Sequence, residues 1–180
     1  MFSQVLERVA LALDQHGIPY MLIGGQAVLL YGEPRLTQDV DITLGIGPRR
    51  LDDLLAVVTQ LRWQVLVKDA PAFVKKTLVL PTRVPKVDVR VDFIFSFSPY
   101  ERQAIERSKK VAMGKAKVAF AAVEDLIIHK VVAGRPRDLE DVRIMLAKNP
   151  DVDMAYIRKW LAQFEESLGE PLLRRFKELS

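Results

Sequence analysis

The stretch Tyr20-Met-Leu-Ile-Gly24-Gly25-Gln26-Ala-Val-Leu-Leu-Tyr31-Gly32-Glu-Pro34-Arg35-Leu-Thr37-Gln-Asp39-Val-Asp41-Ile-Thr-Leu44 decides how this chain is read. An apolar run ends in a glycine pair that opens a short helix. A turn closed by Gly32 and Pro34 follows, and then an extended segment carries Asp39 and Asp41 two residues apart. Side chains alternate across a strand, so both aspartates leave one face while Val40 and Ile42 leave the other, toward a core. Two carboxylates held together without an obvious counter-ion repel each other, and a divalent cation is the simplest relief.

The rest of the chain narrows the options. With 180 residues, 49% hydrophobic and 28% charged, it suits one good core with a small helical appendage. There is no cysteine, which excludes disulfides and thiolate zinc sites, and the two histidines, His16 and His129, lie far apart. Any bound metal is therefore a hard, oxygen-seeking ion such as Mg²⁺ or Mn²⁺. The N-terminus lacks the basic-then-apolar layout of a signal peptide, and no apolar run reaches membrane-spanning length. The expectation is a cytoplasmic protein with no membrane partner. A net charge of +4 permits a polyanionic partner without requiring one.

Residues 2–15 carry a helical apolar stripe ended by Gly17 and Pro19. Tyr20 to Ile23 and Asp39 to Leu44 read as strands, and Arg49 to Arg62 as an amphipathic helix with Leu51, Leu54, Leu55, Val58 and Leu61 inward. Trp63 to Val67 is expected as a strand, residues 70–76 are ambiguous, Thr77 to Leu80 looks extended, and Pro81 to Pro85 reads as a loop. Val87 to Phe97 is the second clear strand, with Asp88, Arg90 and Asp92 on one face and Val89, Val91, Phe93 and Phe95 on the other. Pro99 starts a short helix, and two short strands flank Gly114. From Ala121 the texture is helical: Glu124 to Ala133 stopped by Gly134, Pro136 to Lys148, Asp153 to Ser167, and Glu170 to Leu179. The expected organisation is an α+β front over residues 1–120 with a helical C-terminal part, residues 121–180, packed on it.

A glycine pair between strand and helix leaves the first helical N–H groups open to an anion, and without side chains Gly24 and Gly25 let phosphate oxygens approach the backbone. Three carboxylates suffice to hold two Mg²⁺ ions, one at the attacking oxygen and one at a triphosphate. The third carboxylate is Asp92 or Asp88. Asp92 is favoured because it sits deeper in its strand, between Val91 and Phe93. Arg35 is placed to reach a phosphate or to neutralise Asp39. His129, amid apolar neighbours, reads as a helix-surface or half-buried residue, and Trp63 and Trp160 as core.

The run Ile23-Gly24-Gly25-Gln26-Ala27 followed by Gly32-x-Pro34-Arg35-x-Thr37-x-Asp39-Val40-Asp41-Ile42 resembles the signature of the DNA polymerase β-like nucleotidyltransferase superfamily. Within it the chain looks most like the AbiEii/AbiGii-type nucleotidyltransferases, toxin partners in bacterial toxin–antitoxin and phage-defence systems. The later run Val123 to Val142, with Lys130 and then Arg137-Asp138-Leu139-Glu140-Asp141, is similar to that group's lysine helix followed by an Arg-Asp-x-x-Asp helix. The resemblance implies a mixed β-sheet nucleotidyltransferase core with flanking helices. It further implies Asp39, Asp41 and Asp92 as metal ligands, and nucleotide binding at Gly24, Gly25, Gln26 and Arg35. Lys130 would contact the nucleotide phosphates, and Asp138 or Asp141 would sit near the acceptor or support Lys130. The alternative for Lys130, Arg137, Asp138 and Asp141 is an ion-pair cluster pinning two helices.

The expected cofactor is Mg²⁺ or Mn²⁺, with an NTP as co-substrate. The acceptor implied is a macromolecule, a tRNA end or a protein side chain, and an antitoxin is an implied partner. Aminoglycoside- and lincosamide-modifying enzymes share the Gly-Gly…Asp-x-Asp layout and give a small-molecule alternative. A third reading is a nucleotide- or RNA-binding module without turnover. The sign of the surface beside Asp41 discriminates a cationic drug from RNA.

Overall fold

The computed structural model describes residues 2–33 and 39–180. It divides into two compact units, Met1–Gln26 with Leu36–Ala121, and Ala27–Arg35 with Ala122–Ser180. Among the described residues no helix is long and apolar enough to cross a membrane.

The first unit is built on a seven-stranded mixed sheet. Helix α1 (Phe2–Gln15) buries Val5, Leu6, Val9, Ala10, Ala12 and Leu13 as one stripe. Strand β1 (Tyr20–Ile23) leads directly into α2 (Gly24–Tyr31), and β2 (Asp39–Leu44) follows. A 3₁₀ turn (Pro48–Arg50) opens α3 (Leu51–Leu61), and then come β3 (Gln64–Val65), α4 (Ala70–Thr77), β4 (Val79–Val84), β5 (Val89–Phe95), α5 (Pro99–Glu106), β6 (Lys109–Met113) and β7 (Ala116–Phe120). The strand order is β3-β4-β5-β2-β1-β7-β6. The central pair β2–β5 is parallel and β1 pairs antiparallel with β2. Helix α1 packs on β6, β7 and α3. Alternation along β2 and β5 sends Val40, Ile42, Leu44, Val91, Phe93 and Phe95 into the core, all at most 1% exposed. The opposite face carries Asp39, Asp41, Arg90 and Asp92.

Four expectations are corrected. Residues 81–84 form strand rather than loop: Pro81 is tolerated because its carbonyl accepts from the Leu66 amide at 3.0 Å. A strand residue turns its N–H and C=O to the same side, so the missing N–H of Pro81 faces β3, which is only two residues long, and the ladder to β5 is intact. The second long strand begins at Val89, and Asp88 lies in the preceding turn with φ +50, outside the strand face that was expected to hold it. The strand expected over Trp63 to Val67 shrinks to Gln64–Val65, while Trp63 packs its ring near Phe93 in the core. In α3, Val57 rather than Leu55 completes the buried stripe. The ambiguous segment at 70–76 is helix, started by Asp69, whose carboxylate accepts from the Ala72 amide at 3.0 Å, and by Pro71 in its first turn.

The second unit is helical. Helices α6 (Val123–Ala133), α7 (Pro136–Lys148), α8 (Met154–Leu168) and α9 (Leu172–Lys177) follow one another, and α6 touches each of the other three. Its Leu126, Ile127, Ile128 and Val131 are buried, as are Val142, Met145, Ile157, Leu161, Leu172 and Phe176. Gly134 ends α6 with φ +65, and a Cβ there would press on the Arg175 guanidinium, which donates to the Val131 carbonyl at 2.8 Å. The later residues of α2 are tied in by Asn149, which donates to the Tyr31 carbonyl at 3.0 Å.

Candidate active site

The sheet register brings the predicted carboxylates of the first unit together. On the parallel β2–β5 pair, Asp39 lies opposite Arg90 and Asp41 opposite Asp92. Register partners share a face, so two aspartates from one strand and one from its neighbour project from one side of the sheet. Asp39 is exposed, Asp41 is half-buried, and the Asp92 side chain is 20% exposed. Asp88 is 81% exposed on its turn, 3.4 Å from Arg83.

The glycine turn meets these carboxylates directly. Ile23, the last residue of β1, pairs with Asp41, and Gly24 then turns the chain into α2 with φ +67. A Cβ at Gly24 would overlap the Asp41 carboxylate. Glycine is required here twice over, for a left-handed backbone and for the space its missing side chain leaves. The opening N–H groups of α2 are thereby set beside a carboxylate face, an arrangement suited to a phosphate bridged by a cation. Gly25 follows within the first turn of α2, and Gln26 is 7% exposed.

Arg90 is the residue that sequence reasoning passed over as a site member. Its Nε donates to Asp92 Oδ1 at 2.8 Å. The guanidinium is held above its usual pKa, first by that hydrogen bond, against a smaller opposing effect of burial, and further by the charges of Asp92, Asp39 and Asp41. The repulsion expected of an acidic pair is therefore relieved in part by an arginine of the neighbouring strand. Its signal was the i, i+2 spacing to Asp92; what the sequence lacked was the register that sets it opposite Asp39.

The donor chemistry fits a hard divalent ion, since three carboxylates and no soft ligand share the face. Among the described residues no three His, Asp or Glu groups are already gathered as a metal site, and Asp92 is engaged by Arg90.

In the second unit, Lys130 of α6 donates to Asp138 Oδ1 at 3.0 Å and lies 2.7 Å from Asp141 Oδ2, both on α7. The three side chains are only 6%, 6% and 10% exposed. Arg135 adds a contact from its Nε to Asp138 Oδ2 at 2.5 Å, in the place that sequence reasoning gave to Arg137, which is exposed. Burial would raise the Asp138 pKa, but the hydrogen bonds from Arg135 and Lys130 outweigh it and hold the carboxyl below its usual value. His129, half-buried on α6, is pushed down to about 4 by burial and is neutral at pH 7. Arg35 lies outside the described residues.

No curated protein matches the sequence. Among solved structures, the fold is similar to the antibiotic-resistance factor ANT(2″)-Ia in complex with adenylyl-2″-tobramycin, at 17% identity over 92% of this chain and 98% of that one, with a TM-score of 0.62. It is also similar to an antigenic nucleotidyltransferase-like protein from Paracoccidioides brasiliensis, at 18% identity over 94% and 91% of the two chains, with a TM-score of 0.56. These likenesses show a shared fold. The family model described as "Nucleotidyl transferase of unknown function (DUF2204)" matches residues 2–178, and this chain, with its carboxylate face and glycine turn, belongs to that nucleotidyl transferase family.

Proposed function

We propose that the protein transfers an NMP group from an NTP to a hydroxyl of a macromolecule, with Asp39, Asp41 and Asp92 holding Mg²⁺ or Mn²⁺. The single observation that carries this reading is the close approach of Gly24 to the Asp41 carboxylate, which sets the opening amides of α2 beside carboxylate oxygens. The acceptor oxygen bonds to the α-phosphorus, the bond from that phosphorus to the β-phosphate's bridging oxygen breaks, pyrophosphate leaves, and the hydroxyl proton passes to solvent or a nearby base. When bound, the divalent ion neutralises triphosphate charge and favours the ionised acceptor oxygen. The chain's own part is positional: the Gly24–Gly25 turn receives phosphate oxygens, and the aspartates fix where charge is neutralised.

A macromolecular acceptor such as a tRNA end is supported by the sign of the surface next to the aspartates. Arg83 is the register partner of Arg90, both side chains are about half exposed, and both extend the row that ends in Asp39. A basic row suits a polyanion better than a cationic drug. The AbiEii-type resemblance adds a protein side chain as an alternative acceptor, and a toxin role with an antitoxin partner. The second reading, transfer to an aminoglycoside, is favoured by the match over 98% of the tobramycin-complexed structure's chain.

The test is incubation with each α-labelled NTP, Mg²⁺ and either total RNA, cell protein or tobramycin, resolved by gel and thin-layer chromatography. Label in RNA is the expected result. Label confined to protein or to tobramycin replaces the RNA acceptor, and NTP binding without any product reduces the chain to a binding module. Asp41→Asn is expected to abolish transfer with the fold retained, and transfer at the wild-type rate would remove the metal assignment.

A further inference from the structure

Lys130 and Arg90 are both held by aspartates, and they differ in how tightly they are enclosed. Lys130 is 6% exposed between two carboxylates of similar burial. The Arg90 side chain is 49% exposed, with a single 2.8 Å hydrogen bond to Asp92 and Asp39 as its register partner. The guanidinium side of this pair is open to water, which weakens the attraction, so Arg90 can be exchanged for another cation at little cost. A divalent ion brings twice the charge to the same oxygens and outcompetes a guanidinium that delivers one positive charge. Arg83, on the adjacent strand β4, sits beside Arg90 on the same face and pairs with the exposed Asp88 at 3.4 Å.

We propose that Arg90 is a displaceable counter-ion: it holds Asp92 while the site lacks its metal, releases it when the divalent ion enters, and then joins Arg83 as a cationic pair for substrate phosphates. This rests on the metal reading given above and adds a direction to it. Arg90 opposes metal binding and favours phosphate binding, so its loss moves the two affinities in opposite senses. A merely structural arginine would move neither, or would weaken both together.

The experiment uses the full chain. Mn²⁺ binding without nucleotide is followed by electron paramagnetic resonance, and ATP binding by a fluorescent ATP analogue in the presence of Mn²⁺. Arg90→Gln is expected to tighten Mn²⁺ about tenfold and to weaken the ATP analogue by a similar factor. Arg90→Lys keeps the charge and is expected to stay within about threefold of wild type for Mn²⁺. Arg83→Gln is expected to leave Mn²⁺ unchanged and to weaken the ATP analogue. The proposal is overturned if Arg90→Gln binds Mn²⁺ no more tightly than wild type while Asp41→Asn loses the ion. If Asp41→Asn binds Mn²⁺ as wild type does, the metal reading itself fails and the proposal falls with it.

Discussion

Replacing Lys130 by methionine tests a cluster of three buried charged side chains. The lysine ammonium lies 3.0 Å from Asp138 and 2.7 Å from Asp141, with all three side chains at most 10% exposed. Removing one partner from a buried ionic group typically costs about 3–5 kcal/mol, because the remaining charge is left without compensation. Here the cost is divided unequally. Asp138 keeps Arg135 at 2.5 Å, so the loss falls mainly on Asp141, and the lower end, about 3 kcal/mol, is expected. At a urea slope of about 2 kcal/mol per M, this lowers the unfolding midpoint by about 1.5 M. The assay is urea unfolding at pH 7 followed by far-ultraviolet circular dichroism. Two companions locate the cause. Arg135→Gln removes a side chain that is 77% exposed and is expected to cost under about 1 kcal/mol. Adding Asp141→Leu to Lys130→Met removes the carboxylate that loses its ammonium and is expected to restore more than half of the loss. A Lys130→Met midpoint equal to wild type, or a double variant less stable than the single, would refute the reasoning. If instead the variant keeps its stability and loses NTP affinity, Lys130 works on phosphate and the helix-pinning role is wrong.

Two shorter predictions concern the glycine turn and acid stability. Gly24→Ala forces a side chain into a left-handed backbone and onto the Asp41 carboxylate; it is expected to cost about 1–3 kcal/mol in a thermal melt and to reduce transfer at least 100-fold. Full transfer activity in this variant would show that the turn does not shape the site. The Asp138 pKa is lower folded than its ordinary 3.8, so the stability it contributes is present above about pH 3.8 and is lost as pH falls through the folded value. Urea midpoints measured from pH 6 to pH 2 should therefore fall more steeply for wild type than for Asp138→Asn, and parallel curves would contradict the assignment.

The elements legible in the sequence were those with an unbroken local period. Helix α1, strands β1 and β2, and helix α7 fall at the residues their apolar spacing predicts, because each buries a stripe or a face that repeats without interruption. The failures sit where a local signal competes with sheet pairing. Pro81 reads as a breaker, yet its missing N–H faces a neighbour too short to need it, and β4 continues through. Asp88 continues the alternation of β5 in one dimension but is turned out by a backbone at φ +50. The three-residue excess at β3 has a similar cause, since apolar alternation there marks Trp63 entering the core rather than a paired strand.

At the site, the Asp-x-Asp spacing by itself determined that Asp39 and Asp41 share a face, since strand alternation is a property of the backbone. The glycine pair likewise marked a turn whose amides face outward. What only the tertiary structure decided was the neighbours of those groups. The parallel register of β2 on β5 sets Asp92 beside Asp41 and Arg90 beside Asp39, and the antiparallel register of β1 brings Gly24 against the Asp41 carboxylate. A slip of one residue in either pairing would send those side chains to the opposite face, and nothing local specifies which register is taken. The core fixes it, through Val40, Ile42, Val91 and Phe93, each fully buried on the far side of the same strands.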